Sequence, residues 1–262
     1  MNILITSGGT SEKIDDVRFI TNFSTGSLGK RIAETFASSE KVDKVFLLHG
    51  RNAKLPESEK IEKIPCGGVQ EVIETIRRVV AENKIDAIVH SMAVSDYGVD
   101  AAFSSRALSE YLAKQFSGAN MGESLADEEA TADLIENMIT NFEGYSANGK
   151  IRSDVEHLMI NLGRTPKIIS VFKEFTPRPV IVGFKLLSGV SKAELIDVAH
   201  ALLLKNECDY VLANDLTSIS GENHTGYLID KDRSEKVFKT KQEIANGIVE
   251  TVCTLCEERA KN

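Results

Sequence analysis

The chain has 262 residues, of which 42% are hydrophobic and 27% are charged. These values exclude collagen-like, low-complexity and wholly disordered chains. The formal net charge of -8 argues against an extended nucleic-acid-binding surface. No apolar run approaches the roughly 20 residues of a membrane-spanning helix, and the first run, at residues 3–5, lacks the basic segment that opens a signal peptide. We therefore expect a cytoplasmic protein that binds neither nucleic acid nor membrane.

Short apolar runs alternate along the chain with amphipathic segments. The runs predict strands, and the segments with apolar residues at helical spacing predict helices. Strands separated by helices require parallel crossovers, so we expect a mostly parallel sheet with helices on both faces and a hairpin at its C-terminal edge. In chain order, the predicted elements are a strand at 2–6, a helix at 27–38, a strand at 44–48, a helix at 69–83, a strand at 87–90, a helix at 166–175, a strand at 180–184, a helix at 192–206, a strand at 210–213, a hairpin of 225–229 and 235–238, and a helix at 241–259.

The segment at about 101–149 fits this alternation least well. It contains eight acidic and two basic residues, so it carries most of the net charge of the chain. Helical patches at 107–116 and 130–141 are joined by stretches that contain glycine and serine. The simplest interpretation is one α/β domain over residues 1–262, with an acidic insertion or lid at about 101–149.

Four cysteines are too few and too scattered for a disulfide framework in a chain of this length. Cys253 and Cys256 form a C-x-x-C pair, but they follow the apolar rhythm of the last predicted helix, so we assign them to packing. His90 ends a buried strand, and we interpret it as structural.

Polar residues follow the predicted strands where a ligand would bind. In open α/β sheets, ligands lie beyond the carboxyl ends of the strands. Glycines and hydroxyl groups follow the first strand at 7–10, and polar residues follow later strands at 91–97, 184–185 and 214–215. Free backbone N–H groups and a helix N-terminus at such an edge favour a phosphate. The pattern therefore predicts a nucleotide or another phosphorylated ligand.

Three features disfavour the dinucleotide site of a reductase. The loop before the first helix is far longer than a G-x-G-x-x-G turn. His49 stands at the end of the second strand, where an acidic residue would hold the ribose. Tyr227 and Lys231 have the spacing of a reductase pair, but on a predicted strand and turn four residues span about 13 Å rather than one helical turn. An NAD(P)-dependent short-chain reductase therefore stays only as an alternative.

The long first loop carries a recognisable pattern. Residues 7–29 read SGGTSEKIDDVRFITNFSTGSLG, which resembles the GGT-x-E-x-(I/L)-D-x-V-R-x-I-(S/T)-N-x-S-(S/T)-G-x-x-G signature of the phosphopantothenate-cysteine ligase family of coenzyme A biosynthesis. The resemblance covers nearly the whole chain apart from about 101–149. Further stretches match in the same order, namely AVSDY at 93–97, KIRS at 150–153, TPKII at 165–169, GFKLL at 183–187 and ANDL at 213–216.

The resemblance implies a Rossmann-like three-layer fold and a two-step ligation. The carboxylate of 4'-phosphopantothenate would attack the α-phosphorus of CTP, release pyrophosphate and leave an acyl-cytidylate. The amine of L-cysteine would then displace CMP and form 4'-phosphopantothenoylcysteine. The resemblance also implies Mg²⁺, ATP as the alternative nucleotide, and a homodimer. Because the first strand begins at residue 2, we expect the free-standing bacterial type without an upstream flavin-dependent decarboxylase domain.

Two departures from the family pattern concern the lid and the base pocket. The acidic insertion precedes Lys150, where relatives have a shorter flap. The GFKLL stretch stands where many bifunctional relatives have an acidic residue. These departures bear on lid geometry and base selectivity more than on the reaction.

By motif position, the resemblance assigns Asn22 and Lys150 to catalysis. Asn22 would hydrogen-bond the reacting carboxylate and the acyl-nucleotide, and Lys150 would neutralise charge on the α-phosphate or the intermediate when a basic flap closes. The residues expected to bind the nucleotide are Gly8, Gly9, Thr10, Ser24, Thr25, Gly26, Asp96, Phe184 and Lys185. Asp96 is also the candidate Mg²⁺ ligand. The residues expected to bind the acid substrate are Asn22, Arg18, Asn214 and Asp215.

Plainer interpretations stay open beside these assignments. Lys150 could be an ordinary exposed lysine, and Phe184 could be a core aromatic residue. For the whole chain, the non-enzymatic alternative is a nucleotide-sensing domain whose acidic segment contacts a partner protein.

Overall fold

The structure is a computed structural model that describes residues 1–118, 127–145 and 149–261. Strands and helices alternate along most of this length. In chain order the elements are β1 (Asn2–Ser7), β2 (Ser11–Lys13), β3 (Phe19–Thr21), α1 (Ser27–Ala37), β4 (Lys44–His49), β5 (Ile61–Pro65), α2 (Val69–Glu82), β6 (Ala87–His90), β7 (Tyr97–Ser104), α3 (Ser105–Gly118), α4 (Glu128–Thr140), β8 (Leu158–Arg164), α5 (Ile168–Val171), β9 (Val180–Leu187), α6 (Lys192–Asn206), β10 (Tyr210–Ser220), β11 (Asn223–Ile229), β12 (Glu235–Thr240) and α7 (Lys241–Lys261).

Eight of these strands form the main sheet in the order β12-β11-β10-β9-β6-β1-β4-β5. The pairs from β5 across to β10 are parallel, whereas β11 and β12 run antiparallel at one edge. The predicted mostly parallel sheet and its C-terminal edge hairpin are therefore confirmed. The parallel strands bring the residues after β1, β4, β6, β9 and β10 to the same edge of the sheet.

Helices cover both faces of this sheet, as predicted. Successive side chains of a strand point to opposite faces, so Leu4 packs with α2 and α6, whereas Ile3 and Ile5 pack with α1 and α7. Each helix contributes one apolar stripe at helical spacing. The stripe of α2 includes Val72, Ile76 and Val79, and the stripe of α7 includes Ile244, Ile248 and Val252.

The C-x-x-C pair packs in the apolar cluster on the face of the sheet that α1 and α7 cover, as the helical spacing of the neighbouring apolar residues predicted. Cys253 is buried, and Cys256 packs against the cluster. None of the described helices is both long and apolar enough to cross a bilayer.

The predicted helix at 166–175 is confirmed only in part. The chain forms only the four-residue α5 and then one 3-10 turn, Phe172–Glu174. Ile168, Val171 and Phe172 are buried as the apolar pattern required, but one turn suffices to bury them before the chain enters β9. The strands β2, β3, β5, β7 and β8 were not predicted. The first two have only three residues each, and polar residues or glycine interrupt the apolar residues of the other three.

Contacts divide the chain into two compact units. The first consists of Met1–Ser11, Thr21–Ser95 and Pro166–Asn262, and it holds the main sheet. The second consists of Glu12–Ile20 and Asp96–Thr165. The interpretation of residues 1–262 as a single ligase domain stays a prediction.

The second unit is built around the antiparallel pair of β7 and β8. Ile14, Ala102 and Ile151 form its buried apolar cluster. The helical patches predicted at 107–116 and 130–141 are confirmed as α3 and α4. Residues 119–126 and 146–148 of the predicted acidic insertion lie outside the described residues, and its role as a lid stays a prediction.

Candidate functional site

Two glycine-containing segments of the first unit meet at the carboxyl end of β1. Gly8 follows β1 with φ of 81°, and Gly26 precedes α1 with φ of 64°, a left-handed conformation that favours glycine. A Cβ on Gly26 would lie 2.8 Å from Ser7 Oγ and 3.1 Å from the Gly8 nitrogen. The Ser7 hydroxyl also donates to the Gly26 carbonyl at 3.2 Å. The two segments are therefore packed backbone against backbone.

Gly9 also packs closely against the backbone of the segment that precedes α1. A Cβ on Gly9 would collide with the Asn22 carbonyl oxygen. The following residue, Thr10, is fully buried, and its hydroxyl accepts a hydrogen bond from the Ser95 N–H at 2.9 Å. Thr10 thus fixes the loop to the segment after β6 and points its hydroxyl inward.

A third segment, the loop after β4, completes this part of the site and was missed by sequence reasoning. The Gly50 N–H donates to the Ser7 carbonyl at 3.0 Å, and the Lys54 N–H donates to the Thr25 carbonyl at 2.9 Å. A Cβ on Gly8 would lie 2.8 Å from the Ala53 Cβ. Gly50 at the end of a strand was the one sequence signal for this contact. We call the three segments, residues 7–10, 22–29 and 49–54, the glycine cradle.

The cradle includes the N-terminus of α1. Among the described residues no side chain caps this helix, and its first turn contains no acidic residue. Ser24 Oγ accepts from the Gly26 N–H at 3.4 Å, just before the helix begins. An uncapped helix N-terminus presents N–H groups and positive potential to an anion. Ser24, Thr25 and Gly26 immediately precede this N-terminus, and their role as an anion nest stays a prediction.

Asn22 lies at the edge of the cradle with its side chain exposed. Its Nδ2 donates to the Val94 carbonyl at 2.8 Å, which ties the amide to the segment after β6. This bond uses one of the two N–H bonds of the amide and orients the rest of the group. The neighbouring Phe23 is 95% exposed, which no motif predicted.

Phe184 and Lys185 lie near the end of β9, both half-buried. Phe184, like Leu28 of α1, packs against the apolar cluster that α1 and α7 share with the sheet. This packing agrees with the plainer interpretation, in which Phe184 is a core aromatic residue. A role for its ring in binding a base stays a prediction.

Asn214 and Asp215 lie where β10 departs from its regular pairing with β11. Asn214 is buried, and the two carboxylate oxygens of Asp215 accept hydrogen bonds from Thr217 and from the Val190 N–H at 3.0 Å. The Thr217 hydroxyl and the Val190 and Thr217 backbone N–H groups hold the pKa of Asp215 well below its ordinary value. As an ionised group, Asp215 thus ties the loop after β9 to the later part of β10.

The second unit contains the predicted residues Arg18, Asp96 and Lys150. Arg18 NH1 lies 3.2 Å from Asp15 Oδ2, and Arg18 NH2 donates to the Ile151 carbonyl at 3.4 Å. The structure therefore places the Arg18 guanidinium beside the chain next to Lys150, which is itself exposed. Asp96 is exposed, and its backbone carbonyl accepts from the Thr165 N–H at 3.1 Å.

Three titratable side chains of the first unit, those of Cys66, His90 and Cys208, are buried. Thr6 Oγ1 lies 2.7 Å from His90 Nδ1, and burial lowers the pKa of His90 to about 4. Burial also raises the pKa of Cys66 to about 11 and that of Cys208 to about 12. These groups are uncharged at neutral pH, which agrees with a structural role for His90.

The described residues contain no group of three or more His, Cys, Asp or Glu that could hold a metal ion. They also place Tyr227 on β11 and Lys231 in the turn that follows it, with the Lys192 ammonium 5.0 Å from the centre of the Tyr227 ring. The reductase pair would need both residues on one helix turn, so the structure offers no support for that alternative.

Comparison with known proteins identifies relatives over most of the chain. The family model described as DNA/pantothenate metabolism flavoprotein C-terminal domain matches residues 1–117 and 119–255. The coenzyme A biosynthesis bifunctional protein CoaBC of Thermococcus kodakarensis is 29% identical over 249 residues, which cover 94% of this chain and 49% of that protein. The chain thus spans about half the length of this curated relative.

Solved structures agree with the family match. The crystal structure of the DNA/pantothenate metabolism flavoprotein from Streptococcus pneumoniae is 33% identical, with a TM-score of 0.77 over 97% of this chain and 99% of that chain. A Cab2 mutant in complex with phosphopantothenate-cysteine has a TM-score of 0.68 over 100% of this chain and 89% of that chain. At 17% identity, the Cab2 comparison shows the fold alone.

Proposed function

This chain belongs to the DNA/pantothenate metabolism flavoprotein C-terminal domain family, and from that premise we propose that it is a phosphopantothenate-cysteine ligase of coenzyme A biosynthesis. The glycine cradle, with Asn22 fixed at its edge, is the observation that carries the proposal, because the ligation needs bound anions and placed donors. The name of a relative supports it, because that relative is a coenzyme A biosynthesis protein.

The first step joins two anions, so it requires neutralisation and positioning. The carboxylate of 4'-phosphopantothenate attacks the α-phosphorus of CTP, the bond to pyrophosphate breaks, and an acyl-cytidylate remains. Phosphate oxygens bind at the α1 N-terminus, with Gly8, Gly9 and Thr10 on one side and Ser24, Thr25 and Gly26 on the other. The Thr10 N–H itself donates to the Ala93 carbonyl at 3.1 Å, so it is not one of the phosphate donors. Asn22 donates from its amide to the reacting carboxylate without supplying a competing nucleophile.

The second step transfers the acyl group to cysteine. The amine attacks the acyl carbon, CMP leaves with the bonding electron pair, and the amine proton passes to solvent. We assign the ammonium of Lys150 to the charge on the α-phosphate and Arg18 to the acid substrate. Phe184 and Lys185 are assigned to the nucleotide, and Asn214 and Asp215 to the acid substrate.

This mechanism needs no nucleophile from the protein, and the thiols of the chain agree with that. Burial raises the pKa of all four cysteines, including Cys253 and Cys256. A protonated thiol is a poor nucleophile. Unreactive thiols agree with the proposal that the nucleotide, and not a cysteine, carries the acyl group.

The nucleotide and its metal are proposed from the family resemblance. CTP is the preferred triphosphate, with ATP as the alternative. Mg²⁺ usually keeps several waters and binds through one or two carboxylates and the substrate phosphates. We propose that it binds with the triphosphate, and Asp96 is the candidate ligand by motif position.

A homodimer, which the resemblance implies, and a cytoplasmic location, which was expected from the sequence, accompany this proposal. Light scattering of the purified protein measures the first, and cell fractionation measures the second. A monomer that is fully active would remove the dimer from the proposal.

Incubation with defined substrates tests the function. The protein is mixed with 4'-phosphopantothenate, cysteine and either CTP or ATP, and pyrophosphate and the amide product are measured. The ligase forms both, and faster with CTP. Oxidation of NADPH without pyrophosphate would support the reductase, and nucleotide binding without turnover would support the sensing domain.

A further inference from the structure

Two adjacent carboxylates of the second unit hold the chain on both sides of Lys150. Asp15 and Asp16 lie in the turn between β2 and β3, and they bond to residues that are more than 130 positions away in sequence. One carboxylate binds the residue after Lys150, and the other binds the residue before it.

Asp15 makes the contact on the C-terminal side. It is fully buried, and its Oδ2 accepts from the Ile151 N–H at 3.1 Å. Its Oδ1 accepts from the N–H groups of Val17 and Arg18 at 2.9 Å and 2.7 Å. The Arg18 guanidinium then binds both Asp15 and the Ile151 carbonyl. A buried carboxylate with this many donors is a rigid anchor.

Asp16 makes the contact on the N-terminal side. Its Oδ2 accepts from the Gly149 N–H at 2.6 Å, and its own N–H donates to the Gly149 carbonyl at 3.4 Å. Gly149 has φ of 96°, a left-handed conformation that glycine adopts readily. The other carboxylate oxygen of Asp16, Oδ1, forms an ion pair with the Lys13 ammonium at 2.7 Å. Both peptide groups that flank Lys150 are therefore bonded to the same short turn.

Both carboxylates are ionised at neutral pH. Burial opposes ionisation of Asp15, but the N–H groups of Val17, Ile151 and Arg18 outweigh it and lower its pKa. The hydrogen bond from Lys13 and that from the Gly149 N–H lower the pKa of Asp16. The anchor therefore keeps its charge across the pH range in which an assay is run.

We propose that Asp15 and Asp16 are positioning residues. They hold the backbone around Lys150 in place, and this restricts the positions from which its ammonium binds the anionic intermediate. A lysine side chain has many rotamers, and a fixed backbone reduces the entropy lost when its ammonium binds. The proposal rests on the proposed function, because it acts through the catalytic role assigned to Lys150. It also links residues 15–18 of the first motif to the KIRS stretch.

A double-mutant cycle on the full chain tests the proposal. The variants are Asp16→Ala, Lys150→Met and the double variant, and kcat and KM are measured for pyrophosphate release with CTP, phosphopantothenate and cysteine. Two controls separate other effects of the substitution. Lys13→Met breaks the ion pair of Asp16 but keeps its bond to Gly149, and Asp154→Ala removes an exposed carboxylate whose ion-pair partner is Arg152.

We expect Asp16→Ala to lower kcat about tenfold with KM changed less than about twofold, since displacement of a catalytic group affects the reaction more than binding. The double variant should be no slower than Lys150→Met, because residues that act through one group are not additive. Hydrogen exchange at the Gly149 amide should accelerate in Asp16→Ala. Both controls should keep the wild-type kcat.

Asp15→Asn extends the test to the buried anchor. This variant keeps one acceptor but loses the charge that binds Arg18, so its thermal unfolding is recorded alongside its kinetics. If this variant does not fold, the double-mutant cycle of Asp16→Ala and Lys150→Met is the test of the proposal.

The positioning role would be overturned if the losses of kcat in the two single variants added up in the double variant. It would also be overturned if kcat were unchanged in Asp16→Ala or in Lys150→Met. If the wild-type protein itself forms no amide product, the proposed function fails instead. In that case, an unchanged exchange rate at Gly149 in Asp16→Ala would also show that no anchor exists.

Discussion

At the scale of single residues, Asn22 has two tasks that a carboxylate could not perform. Its amide donates to the Val94 carbonyl, and in the proposed reaction it also donates to a substrate carboxylate. An aspartate at this position would present only acceptors at neutral pH. It would lose the anchoring bond and repel the anionic substrates.

We therefore expect Asn22→Asp to raise the barrier of the reaction by about 2 to 4 kcal/mol, the range for loss of one donor to a developing anion. The measurement is kcat/KM for pyrophosphate release, with circular dichroism to check the fold. Asn246→Asp on α7 is the control, because it makes the same charge change and keeps the acceptor that Gln242 binds. An Asn22→Asp variant with wild-type kcat/KM would remove Asn22 from the mechanism.

Two buried histidines make the stability of the first unit depend on pH. Burial lowers the pKa of both His90 and His224 to about 4, whereas an unfolded chain titrates near 6.5. Neither ring nitrogen of His224 has a hydrogen-bond partner among the described residues. Between these two values the unfolded state binds protons that the folded state does not, so stability is complete above about pH 6.5 and falls as the pH falls toward 4.

His224→Leu should reduce this dependence. We expect the wild-type free energy of unfolding to fall by about 2 kcal/mol per histidine between pH 7 and pH 4.5, and the variant to lose one of the two contributions. Carboxylates with lowered pKa, such as Asp215, lose their contribution only below about pH 4, outside this window. Urea unfolding at the two pH values measures the difference. An unchanged pH dependence in the variant would show that His224 is not buried as described.

At the scale of structural elements, the glycine cradle depends on close approach of three loops. Left-handed backbone occurs at both Gly26 and Gly221, with φ of 64° and 58°. A Cβ on Gly26 would press on Ser7, Gly8 and Ala53, whereas a Cβ on Gly221 would meet nothing within 4 Å. The pair therefore separates backbone strain from crowding.

Gly221→Ala should destabilise the protein by about 1 to 2 kcal/mol from strain alone. Gly26→Ala should add about 1 to 3 kcal/mol for overpacking and should also slow pyrophosphate release, since the loops must move apart. Urea unfolding and turnover of both variants give the comparison. Equal losses of stability, with activity retained in both, would mean that the cradle is not tightly packed.

At the scale of the whole molecule, the two units bury separate apolar clusters. The cluster of the second unit contains Ile14, Ala102 and Ile151. In the same unit, Phe103 packs edge-on against Phe142 with ring centres 5.1 Å apart. The two apolar clusters on the faces of the main sheet consist of residues of the first unit alone.

Replacement of residues 106–145 by a Gly/Ser linker should therefore leave the main sheet folded. Hydrogen exchange at Ile88 and Val182 reports on that sheet, and both amides should stay protected. The control replaces residues 242–259 in the same way, which removes the buried stripe of α7 and should abolish protection. Loss of protection in the first variant would mean that the second unit is required for the fold of the first.

The sequence alone predicted the order of the main strands and helices, because each buries a continuous apolar run or stripe whose period is local. Helix 192–206 and strand 87–90 match the structure to the residue. The strands β2, β3, β5, β7 and β8 and the shortening of the predicted helix at 166–175 were not predicted, because they depend on pairing and packing with distant parts of the chain. The family motif also identified Asn22, Arg18 and Lys150, and their roles stay predictions.

Only the tertiary structure showed that Gly50 and Lys54 join the cradle and that Asp15 and Asp16 hold the chain around Lys150. These contacts link residues distant in sequence, and nothing in the local pattern of an aspartate shows which backbone N–H group it accepts from. A local pattern determines what a segment can bury. The folded chain determines which unpaired donors and acceptors then meet.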